Sequence, residues 1–239
     1  AAHMLQETLG YAGAGDTVWI TNGVYDRGSN PAFDATNRAL VRAGVILRSV
    51  NGPQLTHIVG AADPASTNAW GLGSAAVRGV ALSGAAVLDG FTVRDGRIPP
   101  DAYYGGGVCG DERAHSEADY PGRIVNCILR GNAALYGGGA ARAQVQSCLV
   151  ESNRAEYGGG LANTAAGFCR LTGNQADTGG GAYGTGLSNS MVTANTATYD
   201  GGGVASSWDL INNCTIVGNQ ANICGGLSRV TAHNSLIYY

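Results

Sequence analysis

Residues 132–139 read N-A-A-L-Y-G-G-G. The phrase returns as N-R-A-E-Y-G-G-G at 153–160, N-Q-A-D-T-G-G-G at 174–181, N-T-A-T-Y-D-G-G-G at 195–203 and N-Q-A-N-I-C-G-G at 219–226. Asn132, Asn153, Asn174, Asn195 and Asn219 open the phrases, so the interval is 21 residues three times and then 24. Helical-pair repeats need about 33 to 47 residues, and no leucine-rich consensus is present. A short period of this kind predicts a β-solenoid.

The residues between the phrases support strands. Apolar or small residues alternate at Cys127 and Leu129, Cys148 and Val150, Cys169 and Leu171, Ser190 and Val192, Cys214 and Ile216, and Ser235 and Ile237. A period of two puts each pair on one side of a strand. A second ladder follows the glycines at Val108, Ala140, Leu161, Ala182, Val204 and Leu227, and a third lies at Ile124, Val145, Ala166, Leu187 and Ile211. Three inward ladders per period describe short strands coiled around a filled core. Each strand pairs in parallel with its equivalent one turn on, about 4.8 Å away, so like residues stack in columns. A column of asparagines can then pass an amide hydrogen bond from turn to turn.

These repeats resemble the right-handed parallel β-helix proteins of the pectin-lyase-like superfamily, in particular surface-protein arrays such as the polymorphic outer-membrane proteins. The phrase G-D-T-V-W-I-T-N-G-V-Y at 15–25 resembles the opening strand of many of them. The resemblance spans residues 14–239. It implies an all-β, single-stranded right-handed parallel β-helix with turns of about 21 residues. It also implies a secreted or cell-surface location and a polysaccharide or cell-surface glycan as partner. It does not choose a reaction, because that superfamily mixes lyases, hydrolases, esterases and inert adhesins.

Composition narrows the function from the other side. All 14 cations are arginine, which excludes lysine Schiff-base chemistry and a P-loop, and a net charge of −3 gives no basic stripe for nucleic acid. No apolar run approaches the ~20 residues of a membrane span. Of six cysteines, Cys127, Cys148, Cys169 and Cys214 share one repeat position, which reads as a packing column of free buried thiols. No Cys-x-x-Cys or paired histidine accompanies them, so zinc is not expected.

Along the chain, residues 1–13 read as a cloning remnant and an N-terminal cap, and 14–239 as the β-helix, ending part-way through a turn without a C-terminal cap. That last edge is expected to be covered by more chain or by an end-to-end homo-oligomer contact. Residues 26–37 read as a polar loop. Strands are expected within 39–50, 55–59, 77–80, 86–88 and 91–93, with 61–73 irregular. Phe91 takes the place that Cys127 holds one turn later, 36 residues on, so two excursions must leave the coil, at 94–104 and 109–123.

The excursions gather the candidate chemistry. Asp101 paired with Asp111 or Glu112 would suit glycoside hydrolysis, which needs two carboxyl groups about 5 to 9.5 Å apart. Alternatively Asp111, Glu112 and Asp119 would hold Ca²⁺ against an acidic sugar while His115 takes the ring proton. The polygalacturonase and pectin-methylesterase motifs are absent. Arg97-Ile98-Pro99 begins a pectate-lyase-like R-x-P-x-x-R, but Ala102 stands at its last position. The candidate substrate-binding residues are Arg113 and the tyrosines before the glycine runs, Tyr104, Tyr136 and Tyr157. Stacked on successive turns, those rings would cover one another's faces. Two readings therefore stand: a non-catalytic glycan-binding or scaffold module, and a polysaccharide lyase or glycoside hydrolase acting in the 94–123 loops.

Overall fold

The structure, a computed structural model, describes residues 5–111, 121–206 and 210–238. Apart from one short helix, Leu5–Leu9, its regular elements are strands, gathered mainly into three sheets of nine described strands each. Almost every neighbouring pair in those sheets is parallel, in an arrangement consistent with a β-solenoid. The first sheet contains Arg123–Val125, Gln144–Gln146, Ala165–Gly167 and Gly186–Ser188; the second contains Ile128–Arg130, Leu149–Glu151, Arg170–Thr172 and Met191–Thr193. The third contains Val77–Leu82, Val108–Cys109, Ala140–Ala141 and Leu161–Ala162.

Register places the three predicted ladders as columns. Leu129 pairs with Val150, Val150 with Leu171, Leu171 with Val192, and Val192 with Ile216. Ile124, Val145, Ala166, Leu187 and Ile211 form the second column, and Val108, Ala140, Leu161, Ala182 and Val204 the third. All fifteen side chains are buried in one continuous core. At roughly 25 cal/mol per Å² of apolar surface, each Leu, Ile or Val side chain so buried contributes about 1.5–3 kcal/mol.

Asparagine stitches the corner between the second and third sheets. The Nδ2 of Asn132, Asn153, Asn174 and Asn195 donates to the Oδ1 of the asparagine one turn on, at 3.0, 3.0, 2.9 and 2.9 Å. The same Oδ1 atoms accept the backbone N–H of the preceding asparagine, and each Nδ2 also reaches a main-chain carbonyl, as Asn174 does with Val150. Five buried amides are thereby satisfied without water. The glycine runs pass close to the next turn: a Cβ on Gly159 would collide with the Gln175 carbonyl oxygen, so only a bare backbone fits there.

The thiol column does more than pack. All six cysteines are free. At the corner between the first two sheets Cys127, Cys148, Cys169 and Cys214 each donate their Sγ–H to the carbonyl two residues back, at 3.1–3.3 Å. Sγ of Cys148 accepts the Cys127 N–H at 3.4 Å. Ser190 and Ser235 make the equivalent bonds with hydroxyls, which explains why serine alternates with cysteine at this position.

One expectation needs correction. Residues 26–37 are not simply a loop, because Asn30–Ala32 pairs antiparallel with Ala35–Val41. Phe33 and Asp34 close the hairpin with φ of 53° each, the positive values that a two-residue turn demands, and Asn37 Nδ2 ties the hairpin to the carbonyls of Asn30, Ala32 and Ala35. In the 94–104 excursion, Ile98 and Ala102 are buried in a second small core with Leu72, Ala35, Ala133 and Ala134. Arg97 pins that excursion to the carbonyls of Trp70 and Gly131 at 2.6 Å. Fully buried Arg78 reaches Asn37 and the carbonyls of Gly105 and Tyr104, joining the hairpin to the coil.

Asn174→Ala strands the Asn153 amide and the Val150 carbonyl in a dry column. It is expected to lower the unfolding free energy by about 2–3 kcal/mol, measured by denaturant titration, with exposed Thr198→Ala as the mild control. Native-state alkylation is expected to label partly exposed Cys224 first and to leave Cys127, Cys148, Cys169 and Cys214 unlabelled until unfolding. Burial pushes the Cys148 thiol well above its usual range, which keeps it protonated and inert.

Candidate functional site

The catalytic candidates divide between described and undescribed chain. Asp101 is exposed in the 94–104 excursion. Asp111 is buried where the chain leaves the third sheet, and its Oδ2 accepts the Gly84 N–H at 3.3 Å. Glu112, Arg113, His115 and Asp119 lie outside the described residues. Among the described residues no group of three His, Cys, Asp or Glu side chains is close enough to hold a metal ion, and two members of the Ca²⁺ set, Glu112 and Asp119, fall outside them. Among the described residues, too, no helix is long and apolar enough to cross a membrane.

The tyrosines come together as their spacing requires. Tyr136 and Tyr157 stack with centroids 4.8 Å apart and planes 15° apart, and Tyr104 lies 5.3 Å from Tyr136. The Arg142 guanidinium sits 3.7 Å over the Tyr104 ring, and Tyr183 meets Tyr157 edge-on at 5.2 Å. Tyr183 was not part of the sequence pattern, because it follows the glycines instead of preceding them and enters from the neighbouring strand. These contacts occupy the ring faces, each worth about 0.5–1.5 kcal/mol. They leave mostly edges and hydroxyls to a ligand.

A more open aromatic lies elsewhere. Phe168 occupies the corner between the first and second sheets, in a column that otherwise reads Asn126, Ser147, Asn189, Asn213 and Asn234. Each of these residues has positive φ, from 47° to 55°, a conformation that costs a bulky ring more than it costs Asn. Phe168 adopts φ 55° and is still 61% exposed. The odd residue in that column is the signal by which the sequence could have revealed it.

Phe168 stands between two hollows. The first, of about 340 Å³, opens on the outer face of the first sheet. Its floor is Ala165, Gly167, Gly186 and Ser188, where outward side chains shrink to almost nothing over two adjacent strands. Two strand spacings make a trough about 10 Å wide. Arg123, Gln144 and Gln146 bound it on one side and Leu210 on the other. The second hollow, open and about 690 Å³, turns the corner past Leu149, Arg170 and Met191. An exposed ring flanked by apolar contacts, amides and guanidinium groups can receive the C–H face of a sugar while hydrogen-bonding its substituents.

No family model matches this chain, and no match is found among the curated proteins or the solved structures.

Tyr136 and Tyr157 both have phenol pKa values raised above the ordinary 10.0, Tyr136 first by burial and Tyr157 first by the neighbouring Glu156 carboxylate. A raised value means the folded state disfavours the phenolate. The stack's contribution is therefore intact below the unfolded tyrosine value of about 10 and lost as pH climbs through the higher folded value. Ultraviolet titration is expected to show phenolate forming later in the native protein than in the denatured chain, with denaturant resistance falling over the same alkaline window.

Proposed function

We propose that the chain is a right-handed parallel β-helix of the pectin-lyase-like kind, with turns of about 21 residues, and that it works outside the cytoplasm as a glycan-binding surface module. The fold half of this reading is supported by the parallel columns and the register they keep through the three nine-stranded sheets. The binding half is supported by one observation: an exposed phenylalanine held in a left-handed backbone position, on a corner where the turns on either side carry Ser147 and Asn189, with a hollow on either side. Such strain costs of order 1 kcal/mol and persists where the surrounding structure enforces it. Folding would be better served by asparagine, so the ring is there for what it meets.

The test separates stability from binding. Phe168→Asn is expected to leave the unfolding free energy unchanged or raise it by about 1 kcal/mol, while weakening capture of sugar polymers on a glycan array by about tenfold, ~1.4 kcal/mol. Tyr199→Ser removes another exposed ring, 60% accessible, from a different corner and is expected to bind as the parent does. Unchanged binding by Phe168→Asn, or loss by Tyr199→Ser alone, would remove Phe168 from the site.

A further inference from the structure

We infer that Asn51 is a site of self-modification, where the protein converts one of its own side-chain amides to a carboxylate through a cyclic imide closed by the Gly52 nitrogen. The inference stands apart from glycan binding, because the site lies on the opening turns of the coil and uses none of the residues around Phe168.

The chain contains Asn-Gly twice, at Asn22-Gly23 and Asn51-Gly52, and every other asparagine is followed by a residue that carries a side chain. A side chain there crowds the ring that forms when the following nitrogen attacks the asparagine amide carbon, and glycine removes the obstacle. Both pairs lie at the corner between the first and second sheets, one turn apart. Both asparagines are exposed, and Asn51 Nδ2 donates to Asn22 Oδ1 at 2.8 Å.

The backbone tells the two pairs apart. Gly23 opens the strand Gly23–Tyr25, and its N–H donates to the Leu55 carbonyl at 2.9 Å. Ring closure at Asn22 must therefore break a bond between turns and disturb the end strand of the second sheet. Gly52 lies outside the strands, in the connection from Ile46–Ser49 to Thr56–Val59. Its N–H donates to the Ser49 hydroxyl at 3.0 Å, its φ is 83°, and the space where a Cβ would stand is open. The Gly52 peptide can swing toward the Asn51 side chain without costing either sheet a ladder bond. The buried asparagines from Asn132 to Asn219 are held back twice, by the residue that follows each and by the inter-turn bonds of their amides.

The step balances with water as the sole co-reactant. The Gly52 nitrogen bonds to the Asn51 side-chain carbonyl carbon and sheds its proton, the amide C–N bond breaks, and the amide nitrogen leaves as ammonia. Water then opens the imide, leaving isoaspartate when it attacks the main-chain carbonyl and aspartate when it attacks the side-chain carbonyl. The sum is asparagine and water giving an acid and ammonia, with no change of oxidation state. The carboxylate that results has no hydrogen to donate to Asn22, so the amide pair across the two turns is lost and the corner gains a negative charge.

The experiment incubates the full chain in warm, mildly alkaline buffer, then cleaves it at arginine. Arg27, Arg38, Arg42 and Arg48 lie between the two pairs and put them on separate peptides. In the native protein the peptide holding Asn51 is expected to gain the mass of an amide-to-acid change, located by fragmentation, and to accept methyl groups from an isoaspartyl methyltransferase. The peptide holding Asn22 is expected to lag severalfold. In the denatured chain the two are expected to convert together. Asn51→Gln, which leaves the backbone as it is, and Gly52→Ala are each expected to abolish the early release of ammonia. An Asn51 peptide that stays unmodified in the native protein while the denatured chain converts would overturn the inference. So would conversion of Asn22 first, a lag of Asn22 that persists after denaturation, or undiminished early ammonia release by Asn51→Gln.

Discussion

Parallel stacking of equivalent residues, one strand spacing apart, is the constraint from which the rest of this molecule follows. In such a stack a side chain's principal neighbour is its own counterpart in the next turn, so each column must be built from groups that associate with themselves. Leucine and valine do so by excluding water. Asparagine does so because its side chain carries a donor and an acceptor at opposite edges, and the chain from Asn132 to Asn219 uses both at every step. The thiol column is the same solution with a weaker donor, and Ser190 enters it without changing the bonding. A buried amide chain of this kind also specifies register: a slip by one residue would leave its members unpaired, and the desolvation cost of each would fall on the coil together.

This constraint also decides what the sequence makes legible. The three apolar columns, the asparagine ladder, the shared position of the cysteines and the stacking of Tyr104, Tyr136 and Tyr157 could all be read from spacing alone, because translation along the stack turns sequence interval directly into spatial contact. Where the interval breaks, that route closes. The hairpin of Asn30–Ala32 with Ala35–Val41 depends on two left-handed residues, Phe33 and Asp34, and Phe is a poor advertisement for that conformation. The burial of Arg78 depends on an amide and carbonyls that come from segments 26 to 45 residues away. Tyr183 joins the aromatic cluster from a neighbouring strand, and no periodicity announces that.

The candidate sites show the same contrast. The excursions at 94–104 and 109–123 are rich in charge, yet the first spends its apolar residues on a second core, Arg97 on main-chain carbonyls and Arg94 on its neighbour Asp95. Phe168 carries no charge and sits inside the most regular part of the chain. A search for polar chemistry passes over it. It becomes visible only when the column is read downwards, Asn126, Ser147, Phe168, Asn189, and the backbone conformation common to all of them is known.

A coil of this kind lets binding be written as a departure from the repeat at little cost to the fold. Because each turn contacts only its neighbours, a substitution on the outer face perturbs the turns above and below and nothing further. The left-handed φ at position 168 is enforced by the same corner in the turns on either side, where Ser147 and Asn189 adopt it and inter-turn hydrogen bonds from Ser147 to Gly167 and from Phe168 to Ser188 hold the backbone in place. The regular columns therefore supply the rigidity that keeps a strained aromatic ring presented to solvent. The shrinking of outward side chains to Ala165, Gly167 and Gly186 supplies the space beside it. Neither feature disturbs an inward column, since outward and inward positions alternate along every strand. The interior can stay uniform because its residues answer to one another, and the exterior is free to vary turn by turn because its residues do not.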